Sequence, residues 1–386
     1  MLIVQLLLPR FLVVEIVLFI HFMQGQACPP KITKEPKECK VPFNGTIRYE
    51  PLILKDQDYL MPNKAKSIII EDNALVICPG AKFTDDKNHM DVKCSRSGLI
   101  RGSDDHPVNV EDLDCSRSIQ ESIQASNQVC GPESKGKIVD VGWEIPALTR
   151  SFKSQFSVCH NRALEHTYYT EHVIRGSHIS NRLSDKSRPR FKEGRGFYTK
   201  DSANDLYRAR IRIMREEGGL NNIYSRGHLT PNADFVLNEM QDATFYYFNA
   251  IPQWSSINGG NWNAIEQAVR NLASKVNQDV QVQTGPWGLN GYLGNNTIPI
   301  PKYVWKLVVT NSKAIAFVIT NFVDDQSLEH LCPDDQDNLC EEALWTFPHR
   351  TEAQKGLMYC CTYQSIQKSI PWIKHYDNVG LLTNII

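Results

Sequence analysis

The sequence predicts an α+β fold, in which a sheet is packed by at least one long helix, preceded by a small β-rich region stapled by disulfides. Short β-like runs alternate with clusters of Pro, Gly, Asn and Asp among the six cysteines that lie before residue 135. A long amphipathic helical pattern and three β-branched or aromatic runs follow in the second half. The chain is therefore expected to have two regions of different character.

The composition is that of an ordinary globular protein. Of 386 residues, 41% are hydrophobic and 22% are charged, and the length suggests two domains. The formal net charge is −1, which excludes a strongly basic protein that coats nucleic acid or acidic membranes. An enzyme that must release its product is compatible with this charge.

Residues 1–27 predict a secretory signal peptide that is cleaved after Ala27. They are apolar but interrupted by Pro9, Arg10 and Glu15, and the longest apolar run is short for a membrane span. Residues 25–27, Gly-Gln-Ala, form a small-x-small cleavage pattern. The alternative interpretation is an uncleaved anchor, although these interruptions are unusual for either.

The cysteines and two glycosylation sequons also predict export. All eleven cysteines follow the predicted cut, and most are expected to form disulfides. The number is odd, so at least one is free, intermolecular or lost with a processed segment. No C-x-x-C pair exists, which argues against a structural zinc site. N-x-T sequons at Asn44 and Asn295 fit a secreted, extracellular glycoprotein.

Residues 28–135 are predicted to form a cysteine-rich, β-type N-terminal region, either a removed propeptide or an accessory module. The run "SIIIEDNALVIC", residues 67–78, is typical of its short strands, and "GPESKGK", residues 131–137, is expected to be a linker. Residues 138–386 are predicted to form the second domain. Its last part, residues 326–386, contains four cysteines and is expected to be a disulfide-stapled extension.

The clearest element of the second domain is a helix within "GGNWNAIEQAVRNLASKVNQD". One apolar stripe on this helix predicts its buried face: Trp262, Ile265, Val269, Leu272 and Val276. The runs "VQVQTGP", "YVWKLVVT" and "AIAFVITNF" that follow have the composition of strands. Together they predict a sheet packed against the helix.

Three polar residues around that helix are candidates for metal and phosphate chemistry. Glu266 and Arg270 are four residues apart and share a face. Asn258 lies eight residues before Glu266, so its amide could project to the same side. An amide oxygen and a carboxylate suit Mg²⁺, which needs few protein ligands. The alternative is a surface salt bridge of a few tenths of a kcal/mol.

A basic stretch precedes these residues. The segment from Lys186 to Arg215 contains ten basic and three acidic side chains. A local excess of this kind offers a track for a phosphate backbone. The alternative is a solvated charged face, since Glu216 and Glu217 follow at once.

The stretch "SRGHLTPNADF" and, further on, "TFYYFNAIPQWSSINGGNWNAIEQAVR" share a pattern with a known family. A histidine beside a Gly-Leu-Thr-Pro turn is by itself usually structural. The order and spacing of the matching residues give the pattern its weight: Arg226, Gly227, His228, Asn249, Pro252, Gln253, Asn258, Trp262, Glu266 and Arg270. This pattern resembles the DNA/RNA non-specific endonuclease family, the ββα-metal nucleases, over roughly residues 140–325 and potentially on to 365.

The resemblance implies a ββα-metal nuclease fold with a central antiparallel sheet, and a secreted, Mg²⁺-dependent endonuclease. It implies His228 as general base and Asn258 as metal ligand, with Mn²⁺ as an alternative cation. Glu266 would orient the metal's waters. The remaining implied catalytic residues are Arg226 and Arg270, which would stabilise phosphate oxygens, and Asn249, which would hold the geometry. Both RNA, including double-stranded RNA, and DNA would be substrates.

The chain departs from the family pattern at one position. The family box begins with aspartate, where this sequence has Ser225. This departure puts in question how tightly the metal is held and which cation is preferred. The Ser-Arg-Gly-His box, the signal peptide and the cysteine-rich region are nearest to the secreted invertebrate nucleases that degrade double-stranded RNA.

Two other functions stay open at this point. A secreted nucleic-acid-binding protein, catalytically weakened on the same scaffold, is permitted by the missing aspartate. A zinc hydrolase would use a set of histidines at six-residue spacing, which matches no usual ligand motif: His160, His166, His172 and His178. No membrane partner is expected. The preference among substrates, the disulfide connectivity and the oligomeric state are not predicted.

Overall fold

The computed structural model describes residues 38–145, 151–184, 188–198, 201–218, 223–322, 330–336 and 338–384. The predicted signal peptide and Cys28 lie outside the described residues. No helix among the residues described is both long and apolar enough to cross a membrane. The predicted α+β class is confirmed, since helices pack on a large sheet.

The first seven strands belong to the predicted β-rich region. They are β1 (Cys39–Pro42), β2 (Leu52–Lys55), β3 (Asp58–Tyr59), β4 (Ser67–Ile70), β5 (Asn73–Ile77), β6 (His89–Ser95) and β7 (Gly98–Arg101). β1 pairs with β4, and the others form a sheet in the order β3-β2-β5-β6-β7. The predicted run at residues 67–78 is β4 and β5. Two disulfides, Cys39–Cys94 and Cys78–Cys115, lie in this region.

The second half contains the longer strands. They are β8 (Ser122–Cys130), β9 (Gly136–Glu144), β10 (Phe152–Asn161), β11 (His166–Ile174), β12 (Tyr224–His228), β13 (Ala250–Trp254), β14 (Val280–Trp287), β15 (Tyr292–Leu293), β16 (Ile298–Pro299), β17 (Tyr303–Thr310), β18 (Lys313–Thr320), β19 (Met358–Cys361) and β20 (Gly380–Leu381). Among the described residues, nine of these form one sheet in the order β19-β18-β17-β14-β11-β10-β9-β8, with β20 beside β18. Every pairing is antiparallel except that of β20. The predicted central antiparallel sheet is confirmed.

The α-helices are α1 (Ala203–Gly218), α2 (Asn238–Asp242), α3 (Ser255–Ile257), α4 (Asn263–Val276), α5 (Leu339–Glu342) and α6 (Tyr363–Ser369). A π-helical turn, Asn258–Trp262, joins α3 to α4. Short 3₁₀ turns occur at Val110–Leu113, Pro132–Ser134, Ile179–Asn181, Asn232–Asp234, Tyr247–Asn249 and Ala353–Lys355.

α4 is the predicted amphipathic helix. Its apolar stripe is buried as expected, with Val276 only partly buried at the end. The stripe packs on β17 through Val304 and Val308, which alternate with residues that face the opposite side of the sheet. α6 covers that opposite side. The sheet therefore has helices on both faces, and α4 brings its polar border to the edge of the core.

The segment at residues 131–137, which we expected to be a linker, is instead the turn of the β8–β9 hairpin. The disulfide Cys130–Cys159 ties this hairpin to β10. One hydrophobic cluster joins strands of the β-rich region to the sheet, and residues 37–386 form one compact unit. The linker prediction was wrong because the chain packs continuously across residue 135. The division of the chain into an N-terminal region and a nuclease domain stays a prediction.

The C-terminal extension is stapled as expected. Cys360 and Cys361 are adjacent in β19 and point to opposite faces of the sheet. Cys360 bonds to Cys340 on one face, and Cys361 bonds to Cys332 on the other. With these two bonds, ten cysteines are paired within the described chain, and Cys28 is the eleventh.

Candidate active site

The candidate site is built on a two-stranded hairpin followed by a helix. β12 and β13 pair antiparallel along their whole length, with His228 opposite Ala250, and the chain then enters the π-turn and α4. Gly227 is required in this hairpin because a Cβ atom there would lie 2.3 Å from Oε1 of Gln253. The Arg-Gly-His box is thus the end of a strand, with a glycine where the buried side chain of Gln253 leaves no room for a Cβ atom.

The imidazole of His228 lies between two aromatic rings. Its centroid is 4.9 Å from that of Phe191 and 4.8 Å from that of Phe245. Burial and the charge of Arg188 lower the pKa of His228 to about 3, so the ring is neutral at physiological pH. Within the described chain, its buried Nε2 has no hydrogen-bond partner. An unpartnered buried nitrogen costs about 1–3 kcal/mol, which points to a partner supplied by substrate or water.

A pocket of about 300 Å³ shares the Phe245 wall with His228. Its charged lining is Glu266 and Arg270, as expected from the helix spacing, together with Arg182, Arg188 and Asp242. Burial raises the pKa of Glu266 to about 7. Three guanidinium groups beside two carboxyl groups leave the pocket with an excess of positive charge, which favours an anion, and the carboxyl groups can also orient a hydrated cation.

Arg226 is separated from this pocket by the fold. It lies on the same face of β12 as His228 but lines a larger cavity of about 1090 Å³ with Arg190 and Arg208. Its Nε donates a hydrogen bond of 3.0 Å to the hydroxyl of Tyr247, and its guanidinium lies over three aromatic rings. We expected Arg226 and Arg270 to stabilise the oxygens of the same phosphate. The structure instead places the two arginines in neighbouring cavities.

Asn249 holds the chain that follows His228. It is fully buried, and its side-chain oxygen accepts a hydrogen bond of 2.9 Å from the backbone N–H of Thr230. Its amide nitrogen donates to the carbonyls of Thr230 and Thr244, both at 2.9 Å. All of these bonds are to backbone. The side chain is thus engaged in fixing the turn that follows His228.

Asn258 begins the π-helical turn before α4. It is half-buried, and no hydrogen bond engages its side chain among the residues that the structure describes. Within the described chain the Asn258 amide is thus left unengaged, which is compatible with the expected metal ligand, but Asn258 is not among the residues that line the pocket of Glu266. In contrast, Asn261 in the same turn donates to the carbonyls of His349 and Gly356 and is thereby occupied.

Ser225, the departure from the family pattern, has a local role in the hairpin. Its hydroxyl donates a hydrogen bond of 3.0 Å to the carbonyl of Gln253. Because side chains alternate along a strand, Ser225 points away from the face that bears Arg226 and His228.

We expect Ser225→Asp to destabilise the protein by about 1 kcal/mol, because a carboxylate cannot donate to that carbonyl. The Mg²⁺ concentration for half-maximal cleavage should stay the same. Thermal unfolding and a Mg²⁺ titration of cleavage measure the two quantities. A large gain in Mg²⁺ affinity in the variant would contradict this orientation of the side chain.

A buried polar network lies beneath the pocket and was missed by the sequence analysis. Asp234 accepts hydrogen bonds from His172 Nε2 at 2.8 Å and from Arg270 Nη1 at 2.9 Å. Although burial opposes it, these partners and the charge of Lys306 keep the pKa of Asp234 below its usual range. Lys306 is 1% exposed and donates to Thr284 Oγ1 at 2.8 Å. The hydrogen bond to Asp234 thus fixes the guanidinium group of Arg270 from beneath the pocket.

One signal in the sequence could have revealed Lys306. It is a lysine inside the apolar run "YVWKLVVT", on the same face of β17 as Val304 and Val308. Lysine is almost never fully buried unless it is paired. Asp234 and Arg182 carry no such local signal, because their roles depend on contacts with distant parts of the chain.

Two of the histidines considered for zinc are hydrogen-bonded to other side chains. His160 is bound by Thr167, whereas His172 is bound by Asp234. In the described ranges, the single cluster with metal-ligand spacing is Cys332, Asp335 and Cys361, and its two cysteines are joined in a disulfide. Within those ranges, the histidines considered for zinc form no cluster with metal-ligand spacing.

Comparison with known proteins agrees with this geometry. The family model for DNA/RNA non-specific endonuclease matches residues 134–365. The chain is 27% identical over 373 residues to a salivary endonuclease of Lutzomyia longipalpis, covering 89% of this chain and 85% of that protein. It is 24% identical to salivary protein Tsal2A of Glossina morsitans morsitans, covering 66% and 69%.

Among solved structures, one of the EndoG/EndoGI complex is 19% identical, with a TM-score of 0.39, and covers 60% of this chain and 89% of that chain. The family match spans more than half of the chain and contains the hairpin, the π-turn and α4. The chain belongs to the DNA/RNA non-specific endonuclease family and is a nuclease.

Proposed function

We propose that the protein is a secreted, Mg²⁺-dependent endonuclease that hydrolyses phosphodiester bonds in RNA, including double-stranded RNA, and in DNA. The observation that supports this most strongly is the neutral His228, whose Nε2 has no partner in the described chain and whose ring shares a wall with the arginine-lined pocket. A neutral imidazole beside an anion pocket is suited to take a proton from a water that attacks a phosphate.

Each side chain has one task in this proposal. His228 accepts the proton of the attacking water through Nε2. Arg270, fixed by Asp234, and Arg188 neutralise the non-bridging oxygens of the phosphate. Glu266 would hold a divalent cation through water molecules, as a hydrogen-bond acceptor. Asn249 keeps the turn after His228 in place, so the imidazole does not have to be ordered when substrate binds.

Asn258 would hold the divalent cation directly through its amide oxygen, and Glu266 would hold it through water. Mg²⁺ is proposed because it keeps most of its waters and accepts few protein ligands, with Mn²⁺ as an alternative. When bound, such an ion supplies charge stabilisation to the phosphate and an acidic water for the leaving oxygen.

The larger cavity next to His228 is suited to the nucleotides that flank the cleaved bond. Arg190, Arg208 and Arg226 line it together with the aromatic residues Phe191 and Tyr247. Arginines and rings bind phosphates and bases of any sequence, so we expect weak sequence preference. Because the nucleophile is water, the 2′-hydroxyl is not required and DNA is also a substrate.

The proposed function is tested by incubating the purified protein with double-stranded RNA and with plasmid DNA, each with Mg²⁺ or with EDTA. We expect both polymers to be cut internally with Mg²⁺ and to stay intact with EDTA. If both polymers bind tightly but stay intact with Mg²⁺, the result would instead support a catalytically weakened nucleic-acid-binding protein. Cleavage of RNA but not of DNA would indicate chemistry that uses the 2′-hydroxyl.

We expect Asn258→Ala to raise the Mg²⁺ concentration needed for half-maximal cleavage by about 10–100-fold, the range observed when a metal loses a supporting group. Isothermal titration of Mn²⁺ measures the same loss without turnover. Asn261→Ala is an informative comparison, because Asn261 is bound to backbone carbonyls; it should lower stability and leave metal affinity unchanged. Equal metal affinity in wild type and Asn258→Ala would remove Asn258 as the ligand.

A further inference from the structure

We propose that the N-terminal region is a permanent part of the active site, in which Lys66 and Glu121 are positioning residues for the two segments that wall it. The proposal rests on the nuclease function proposed above. It concerns the cysteine-rich region that precedes the family match, for which a removed propeptide and an accessory module were both open.

The first anchor is Lys66, in the turn before β4. Its ammonium donates hydrogen bonds of 2.7 Å to the backbone carbonyls of Asn181 and Arg182. In return, the side chain of Asn181 donates to the carbonyl of Pro62 at 3.1 Å. Arg182 lines the anion pocket. A residue of the N-terminal region therefore fixes the backbone that presents one of the pocket's guanidinium groups.

The second anchor is Glu121, next to β8. Its half-buried carboxylate accepts hydrogen bonds from the ammonium of Lys192 and the hydroxyl of Tyr246. The backbone N–H of Lys192 also donates a hydrogen bond of 2.8 Å to the carbonyl of Phe245. Its neighbour in the chain is Phe191, whose ring packs on His228. Glu121 thus holds the segment that encloses the imidazole.

A buried hydrophobic cluster also joins the N-terminal region to the rest of the protein. Leu52 and Val76 of the N-terminal strands are fully buried in the same cluster as Phe235 and Met240. Phe235 packs on His172, which binds Asp234 of the network beneath the pocket. Removal of residues 28–130 would expose this cluster, take β8 off the sheet and release both anchors.

The test uses the full chain with single substitutions. Lys66→Met should raise KM for double-stranded RNA by about 10-fold at nearly constant kcat, since it loosens a wall of the anion pocket. Glu121→Ala should lower kcat by about 10-fold at nearly constant KM, since it loosens the wall of His228. Lys192→Met should have the effect of Glu121→Ala, and the double variant should be no worse than either.

Matched controls are Lys82→Met and Glu133→Gln, whose ion pairs with Asp86 and Lys135 are exposed and confined to their own turns. Both controls should behave as wild type. Thermal unfolding midpoints of all variants check that each is folded.

Amide hydrogen exchange gives a readout that does not need turnover. The amide of Lys192 should exchange faster in Glu121→Ala than in wild type. Wild-type protein without nuclease activity would overturn the proposed function, while the exchange experiment would still decide the anchoring. Wild-type kinetics and wild-type exchange in Lys66→Met and Glu121→Ala would overturn the inference, as would mature, fully active protein that lacks residues 28–130.

Discussion

Replacing His228 by alanine is expected to lower kcat by about 10²–10⁴-fold, the range that general-base catalysis contributes. The reason is the loss of Nε2, which has no partner in the described chain and belongs to a ring that packs on Phe245 in the wall of the anion pocket. KM should change little, because the arginines that bind phosphate stay in place. Single-turnover cleavage of a labelled duplex measures the loss of the chemical step.

A structural role for His228 predicts a different result. Alanine would leave a hole between Phe191 and Phe245, so unfolding must be measured with the rates. Added imidazole should restore part of the activity of His228→Ala if the ring acts as a base, and none if it acts only by packing. His106→Ala, an exposed histidine, is the control. A variant that keeps a tenth or more of the wild-type rate would remove His228 as the base.

The pH dependence distinguishes His228 from Glu266. The pKa of His228 is lowered to about 3, so its basic form is already present above that pH and it causes no loss of activity near pH 6.5. The pKa of Glu266 is raised to about 7 by burial. Activity should therefore fall as the pH decreases through about 7, when Glu266 takes up a proton and loses the negative charge that orients water molecules.

Lys306→Met is expected to move this fall in activity to higher pH and to lower the rate at pH 7 by about 10-fold. The positive charge of Lys306 lowers the pKa of Glu266, so its removal raises that pKa further. Methionine has a similar length and can pack on Trp262, over whose ring the ammonium lies. The cleavage rate measured from pH 5 to pH 9 reports the shift.

Stability provides the second readout for Lys306→Met. With the pKa of Glu266 raised above its unfolded value, the folded state keeps its proton at low pH and loses this stabilisation as the pH rises. Between pH 5.5 and pH 8.5 the variant should therefore lose more stability than wild type does. Lys313→Met, exposed on the neighbouring strand, should alter neither curve. An unchanged pH profile in Lys306→Met would remove the lysine from the site.

Much of the fold could be predicted because local patterns agreed with the tertiary packing. The stripe that begins at Trp262 is buried on the sheet, and the three runs after it are β14, β17 and β18. The spacing of Glu266 and Arg270 placed both at the border of that stripe, where they line one pocket. Helix and strand periodicities are set by nearest neighbours, so a sequence can carry them by itself.

Other features depended on contacts between distant residues. The expected linker at residues 131–137 is a hairpin turn because β8 finds an edge of the main sheet. Arg226 matches the family box, yet the ring of Tyr247 and the position of α1 place it in the neighbouring cavity. A match in sequence order fixes which residues are present but not which cavity each one reaches.

The sequence by itself determined the family, the order of α4, β14, β17 and β18, and the identity of His228, Asn258 and Glu266 as candidates. The tertiary structure alone decided that His228 is neutral, that its Nε2 has no hydrogen-bond partner within the described ranges, and that the Asn249 side chain is engaged in backbone hydrogen bonds. It also decided that Lys66 and Lys306 support the pocket. The physical reason is that burial and charge depend on what surrounds a side chain, and these surroundings come from segments far apart in the chain.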